Sequence, residues 1–260
     1  MNEDFEKLRT ATKKHYTKCV FDFDYIRKKI FDRSLLRKWM KKNNFSGKKI
    51  FDIGCGAGSV GSFVIKLFTE CKLFSADLSS DAVRMTKNRD MNVFIGDNLN
   101  LPIKNNASDL TISEGVIHHT PNPYRAFKEL IRITNTGGQI SLYVYNKRNY
   151  YYYIYKLGFL VRFLYKKRIT KKIVEGLIFN PFHIFYVQLG NFFYFKSPKV
   201  VSRKISWNIF SDQILTPVAH FYLKEDIVEW ASQNNLKVLD YQRSLNGQGL
   251  QFILLKCRTK

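Results

Sequence analysis

An α/β fold, with helices laid on a mostly parallel sheet, follows from three features of the sequence. The stretch KKIFDIGCGAGS at residues 48–59 runs from a short apolar segment into glycines at 54, 56 and 58, and Val60, Phe63, Val64 and Leu67 then recur at helical spacing. Two further strand-like runs, KLFSADL and MNVFIGDN, end in Asp77 and Asp97, much as the first carries Asp52. The chain closes on LKVLDYQRS and LQFILLKC, separated by Asn246-Gly247-Gln248-Gly249, which reads as a hairpin.

A chain of 260 residues accommodates one large α/β domain with an insertion, or two small domains. Its apolar fraction of 45% and aromatic fraction of 15% are ample for a core. The net charge of +22 and pI near 9.8 point to nucleic acid, an anionic membrane surface or an acidic substrate. The bland alternative is an AT-rich coding sequence, since Lys, Asn, Phe, Tyr and Ile are abundant together. Cys19, Cys55, Cys71 and Cys257 form no CxxC pair and hold no ligand spacing with His. Reduced cysteines of a cytoplasmic protein are therefore expected, with neither a disulfide frame nor a metal site. The polar, acidic start MNEDFEKLRT is no secretory signal peptide. Ile173 to Phe195 is apolar for about a membrane thickness. Glu175, Asn180, Pro181 and His183 interrupt it, so a buried or interfacial segment is expected there.

Taken in order, residues 1–46 read as an amphipathic helical segment. Tyr25, Ile26, Ile30, Phe31, Leu35, Leu36, Trp39 and Met40 fall near one face, and Arg27, Lys28, Lys29, Arg37 and Lys38 lie elsewhere. This segment is a lid or an outer helix. Residues 47–146 hold the glycine turn and the strands. Glycine is needed at such a turn because the chain bends sharply and a ligand lies against bare backbone. Free N–H groups at the following helix start add a weak positive potential. Asp77 stands nineteen positions beyond Gly58, near the ~20-residue offset at which an acid grips ribose hydroxyls. The competing role is a helix cap before SSDAVRMTKN, which Ser79 or Ser80 also fits. Asp97, with Asn98 beside it, ends the third strand. Asp109 opens the fourth, LTISEGVIHH, and Pro123 to Ile133 is an amphipathic helix. Gly137-Gly138 precedes the strand QISLYVY.

Two registers of the glycine loop compete. Gly54-x-Gly56-x-Gly58 resembles motif I of the class I S-adenosylmethionine (SAM) methyltransferases, whereas Gly56-x-Gly58-x-x-Gly61 satisfies the dinucleotide fingerprint of nicotinamide enzymes. FDIGCGAGS, SADLS, GDNLNLP, SDLTISEGVIHHTPNPYRAFKELIRI and NTGGQISLYV together resemble successive motifs of the methyltransferases, closest to the group that includes ubiquinone and menaquinone biosynthesis enzymes. The resemblance covers residues 48–146 in the family's order, and the nicotinamide fingerprint predicts none of the later motifs. It implies a Rossmann-like sheet of seven mostly parallel strands with the last reversed, helices on both faces, and SAM as cofactor. Residue by residue it implies Asp52 and Gly54 at the methionine end, Gly56 against the ribose and Asp77 on its hydroxyls. Asp97 would accept from the adenine amino group with Asn98 beside it, and Glu114 and Gly115 would floor the methyl group. Cys55, Gly58 and Leu78 complete the implied cofactor-binding set.

Residues 147–219 form a long insertion, and 220–260 return to the sheet. A connection of that length carries its own structure. It holds NYYYYIY and many cations, Lys166, Lys167, Arg168, Lys171, Lys172 and Lys199 among them, with Glu175 the one acid between residues 147 and 211. It reads as a basic aromatic cap that forms the acceptor pocket or touches membrane or nucleic acid through 147–204, or as helices packed on themselves. Methyl transfer is an in-line displacement that depends on alignment, and an O or N acceptor also needs a base. The candidate bases are His119, His118 and His220. Asn122-Pro123-Tyr124 only partly echoes the Asn-Pro-Pro-Tyr of amino-group nucleic acid methylation. The expected function is methyl transfer to an O, N or C atom of a small molecule or glycan, including one carried on lipid, by a cytoplasmic or membrane-peripheral enzyme. The alternatives are an RNA methyltransferase and a non-catalytic SAM-fold protein at a binding or membrane surface.

Overall fold

A computed structural model describes residues 3–18, 24–89, 91–196 and 200–258. Cys19, Lys199 and the side chains of Tyr25, Ile26, Arg27 and Arg168 lie outside the described residues. The helices up to the cap are α1 (Glu3–Lys18), α2 (Asp24–Asp32), α3 (Leu35–Lys42), α4 (Ser59–Leu67), α5 (Ser80–Lys87), α6 (Pro123–Ile133) and α7 (Tyr150–Tyr165). The strands are β1 (Lys49–Ile53), β2 (Lys72–Asp77), β3 (Asn92–Ile95), β4 (Ser108–Glu114), β5 (Thr134–Asn146), β6 (Phe221–Tyr222), β7 (Leu236–Arg243) and β8 (Gly249–Lys256).

The sheet runs β3-β2-β1-β4-β5-β8-β7. Only β8 is reversed, lying antiparallel to both β5 and β7. The expected seven-stranded pattern with a reversed last strand is therefore present. A two-residue addition, β6, pairs with the end of β5 through Tyr145 and Phe221. Successive strand residues point to opposite faces, so β1 sends Ile50 one way and Phe51 and Ile53 the other. Leu110 and Ile112 of β4 join Ile50 under Leu36, Met40 and Val64 of α3 and α4. Phe127 and Leu130 of α6, with Ile227 and Ala231 of the helix Lys224–Gln233, cover the Phe51 face. Ile50, Ile53, Leu110, Ile112 and Phe127 are all fully buried, and each contributes about 1.5–3 kcal/mol.

Local signals place the helix ends. Ser34 accepts from the Arg37 N–H at 3.1 Å, Ser79 from the Ala82 N–H at 3.2 Å and Asn122 from the Arg125 N–H at 2.9 Å. Each such cap is worth about 1 kcal/mol. Ser79 takes the capping role that Asp77 could have held, which leaves Asp77 for other work. Within the amino-terminal segment α2 ends at Asp32, and Ser34 starts α3 afresh.

Between β5 and β6 most of the described residues are helical. After α7 comes a helical run over 168–195 whose hydrogen bonding widens to π turns at Val174–Ile178 and Phe182–Gln188, on either side of Pro181, which has no N–H to give. The helix Arg203–Phe210 follows and ends in a third π turn, Ser211–Leu215. Val174, Phe179, Phe210 and Ile214 give this insertion a core of its own. Among the described residues no helix is long and apolar enough to cross a membrane.

Candidate active site

The glycine turn after β1 opens a cavity of about 880 Å³ at the carboxyl ends of the strands. Gly54, Gly56 and Gly58 have φ of +79°, +54° and +78°, a region that favours glycine. The reasons differ along the turn. A Cβ on Gly54 would stand 2.4 Å from a Val116 methyl carbon, so the turn packs against the end of β4. A Cβ on Gly56 would meet nothing within 4 Å and would project into open space, which is what a bound ligand requires. Ala76 accepts from the N–H groups of Gly54 and Cys55 at 2.7 and 3.0 Å, pinning the turn onto β2.

Asp77 lines this cavity and accepts from the Gly56 N–H at 2.8 Å and the Ser79 N–H at 2.9 Å. Burial pushes its carboxyl pKa up, against the pull of these N–H donors. Asp52, Gly54, Cys55, Gly56, Leu78, Asn98, Glu114 and Gly115 line the same cavity. Asn98 Oδ1 is buried with no hydrogen-bonding partner among the described residues, an acceptor left for a ligand. Glu114 accepts from the Ser141 hydroxyl at 2.7 Å, which holds its carboxylate at the cavity floor. Cys55 is buried beside Thr86, and burial pushes its thiol pKa well up.

Four of the residues singled out in the sequence stand elsewhere. Asp97 does not line the cavity. Its Oδ2 receives Arg9 Nε at 2.7 Å and Nη2 at 2.5 Å, and its Oδ1 receives the Leu99 N–H at 2.9 Å, so α1 occupies the carboxylate expected to meet adenine. Gly58 lies under Thr86 and starts α4. His118 is fully buried beneath the site, its ring 3.9 Å from that of Tyr145, and burial holds its pKa well below the usual range. His220 is half-buried behind the site, where its N–H donates to the His118 carbonyl at 2.9 Å.

His119 does face the cavity. Its Nδ1 lies 2.8 Å from the Val218 carbonyl, which can only accept, so Nδ1 carries the proton and Nε2 keeps its lone pair. Nε2 stands 3.8 Å from Asp212 Oδ1. Asp212 also accepts from the Tyr16 hydroxyl at 3.1 Å and, on Oδ2, from the Tyr145 hydroxyl at 3.2 Å. Burial lowers the His119 pKa, and Asp212 partly offsets this. The imidazole is thus neutral at neutral pH, with a carboxylate placed to steady the imidazolium. A substrate O–H or N–H between Nε2 and Asp212 would meet two acceptors. Asp212, Tyr16 and Tyr145 were not legible as site residues. Asp212 sits at no strand end or motif offset, and Tyr16 reaches it across 196 positions.

Residues 51–142 match the family profile of a methyltransferase domain. The chain carries a class I SAM-dependent methyltransferase domain. The mouse (Mus musculus) "Probable tRNA methyltransferase 9B" is 36% identical over 102 residues, 38% of this chain and 22% of that protein. The Arabidopsis thaliana tRNA (carboxymethyluridine(34)-5-O)-methyltransferase is 29% identical over 123 residues, 44% of this chain and 30% of that one. The chain thus spans less than a third of these relatives. Two of the solved structures that share the fold are methyltransferases. A Haloferax volcanii methyltransferase in complex with the Trm112 methyltransferase activator superposes with a TM-score of 0.55 at 12% identity, over 98% of this chain and 93% of that one. A SAM-dependent methyltransferase from Aquifex aeolicus gives 0.52 at 11% identity, over 86% and 91%. SAM is the cofactor of the domain, and the cavity offers an open face at Gly56 with two acceptors beside it, the Asp77 carboxylate and the orphaned Asn98 Oδ1.

Proposed function

We propose that the chain methylates RNA, with tRNA as the substrate class, and not the free small molecule or glycan that the sequence alone favours. The observation that carries this reading is that curated relatives matching the methyltransferase core act on tRNA by name. The charge of +22 agrees with a polyanionic substrate. The cavity adds room: at about 880 Å³ it lies near the top of the ~300–1,000 Å³ range of ligand sites, so a cofactor and a splayed-out nucleoside fit together. Tyr143, Tyr145, Tyr150 and Tyr186 line it and offer rings for a base to stack on.

Bound SAM supplies a methyl group made electrophilic by its sulfonium. The chain's own residues do the rest. Asp77 and the glycine turn grip the ribose side, Asn98 offers an acceptor beside the adenine side, and Glu114 and Gly115 floor the transfer site. His119 Nε2 accepts a proton from an O–H or N–H acceptor, and Asp212 stabilises the resulting imidazolium. Tyr16 and Tyr145 fix Asp212 through their hydroxyls.

A second reading, a lipid-linked acceptor, is favoured by exposed apolar side chains at the cavity mouth, Ile30, Leu189, Phe193 and Leu245 among them. Transfer from SAM labelled in the methyl group separates the two. Purified protein is given tRNA from cells lacking this chain, or a lipid extract of those cells. Label that RNase releases, and that His119→Ala does not produce, is the expected result. Label confined to the organic phase would replace the RNA reading with the lipid one.

A further inference from the structure

The cap turns an apolar face to solvent. On α7, Tyr151, Tyr155 and Gly158 point inward, while Tyr153, Leu157, Phe159, Leu160 and Phe163 point out, with Leu157 73% exposed. The next helical run repeats the pattern, leaving Ile169 86% and Leu177 74% exposed, followed by Ile184 and Phe192. Side chains of this kind are unusual on the outside of a helix bathed in water, and many in succession mark a surface that is covered. Their exposed polar neighbours are cations: Lys156, Lys166, Lys167, Lys171 and Lys172. Glu175, the one acid in this stretch, lies 3.7 Å from Lys171. The lysines also lie against rings, with Lys156 Nζ 5.7 Å from the Tyr152 centroid and Lys167 Nζ 5.2 Å from that of Phe163. Apolar stems along rings with charged heads beside them is how lysines sit at a water–hydrocarbon boundary.

We infer that α7 and the helical run 168–195 form a docking face for the surface of an anionic lipid bilayer. Charge complementarity selects this occupant: exposed cations beside exposed apolar side chains fit acidic headgroups above acyl chains. A second copy of the chain would bring the same cations against these. Nucleic acid would satisfy the lysines but leave Leu157, Leu160, Ile169 and Leu177 facing phosphates. Among the described residues no helix is able to span, so the face lies along the interface and does not cross it. The same helical run also borders the cavity. Phe185, Leu189 and Phe193 both line the cavity and stand exposed, so the run that docks is also the one beside the opening. The inference is independent of which acceptor is methylated.

Vesicle flotation tests it. Wild-type protein is mixed with phosphatidylcholine vesicles with or without one part in three of phosphatidylglycerol. It is compared with Leu157→Glu/Phe163→Glu and Lys166→Glu/Lys167→Glu, all exposed positions whose change leaves the core intact. Circular dichroism and SAM affinity confirm that each variant is folded. Partitioning onto the anionic vesicles is expected to fall at least tenfold in both variants, and in the wild type without phosphatidylglycerol. No flotation of the wild type, or equal flotation of Leu157→Glu/Phe163→Glu, overturns the proposal. Loss of tRNA binding in that variant with vesicle binding unchanged assigns the face to RNA. A dimer by light scattering that the same variant makes monomeric assigns it to self-association.

Discussion

Asp77 ends β2 and Asp97 follows the neighbouring strand β3 by two residues, and spacing alone treats them alike. Their surroundings separate them. Asp77 receives backbone N–H groups from the glycine turn and its own helix start, and it keeps a face on the cavity. Asp97 is held by Arg9, which lies 88 positions earlier in the sequence and is invisible to any local pattern. The histidines divide the same way. His119 points its free nitrogen at Asp212, while His118, its neighbour in sequence, is sealed under Tyr145. His119→Ala is therefore expected to spare SAM affinity and lower turnover by about 10²–10⁴-fold, read by calorimetry and single-turnover transfer. Unchanged turnover would make His119 structural. Because burial lowers its pKa, the rate should stay flat near neutral pH and fall only below the ordinary His value of 6.5. Asp212→Asn removes a charge that raises that pKa, so the acid limb should move still lower.

At the scale of elements, four histidines meet where α1, the turn Ile117–His119 and the entry to β6 come together. His15, His118, His119 and His220 all have pKa values lowered by burial. An unfolded chain would begin to protonate them near pH 6.5, before the folded protein can. Stability is thus full above that pH and is lost as pH falls through it towards the lowered folded values. The melting temperature should drop between pH 7.5 and pH 5.5, and less so in His118→Phe, whose ring takes no proton. A melting temperature that stays level over this range would contradict the burial of these rings. Most of the elements themselves were legible from sequence. The glycine turn, the three strand-end acids and the closing hairpin each declare themselves within a dozen residues. The site's far side was not: Asp212 rides on a π turn in the cap, and its partners Tyr16 and Tyr145 come from α1 and β5. Contacts between elements so distant in sequence depend on how the cap folds over the sheet, and no periodicity encodes that.

Over the whole molecule, a sheet common to many methyltransferases is roofed by α1 and a cap with its own core. The division of labour follows the chain. The glycine turn and the carboxylates Asp52, Asp77 and Glu114 line the cavity from before β5, and Asp212 and the cap line it from after β5, with Tyr16 of α1 and His119 meeting Asp212 between them. The basic charge is spread through both, whereas the exposed apolar face belongs to the cap alone. Charge and cap therefore bear on what the protein meets, and the strand ends bear on how it reacts. Everything on the acceptor side presupposes that the cavity takes SAM against Gly56 and Asp77. The decisive measurement is calorimetric titration of SAM into wild-type and Asp77→Ala protein, with NADH as the control ligand. Micromolar binding of SAM, none of NADH, and a loss of more than tenfold in Asp77→Ala, where a charged two-pronged contact is removed, is the expected result. Folded protein that ignores SAM, or an Asp77→Ala variant that binds it as tightly as the wild type, would contradict the assignment of the cavity.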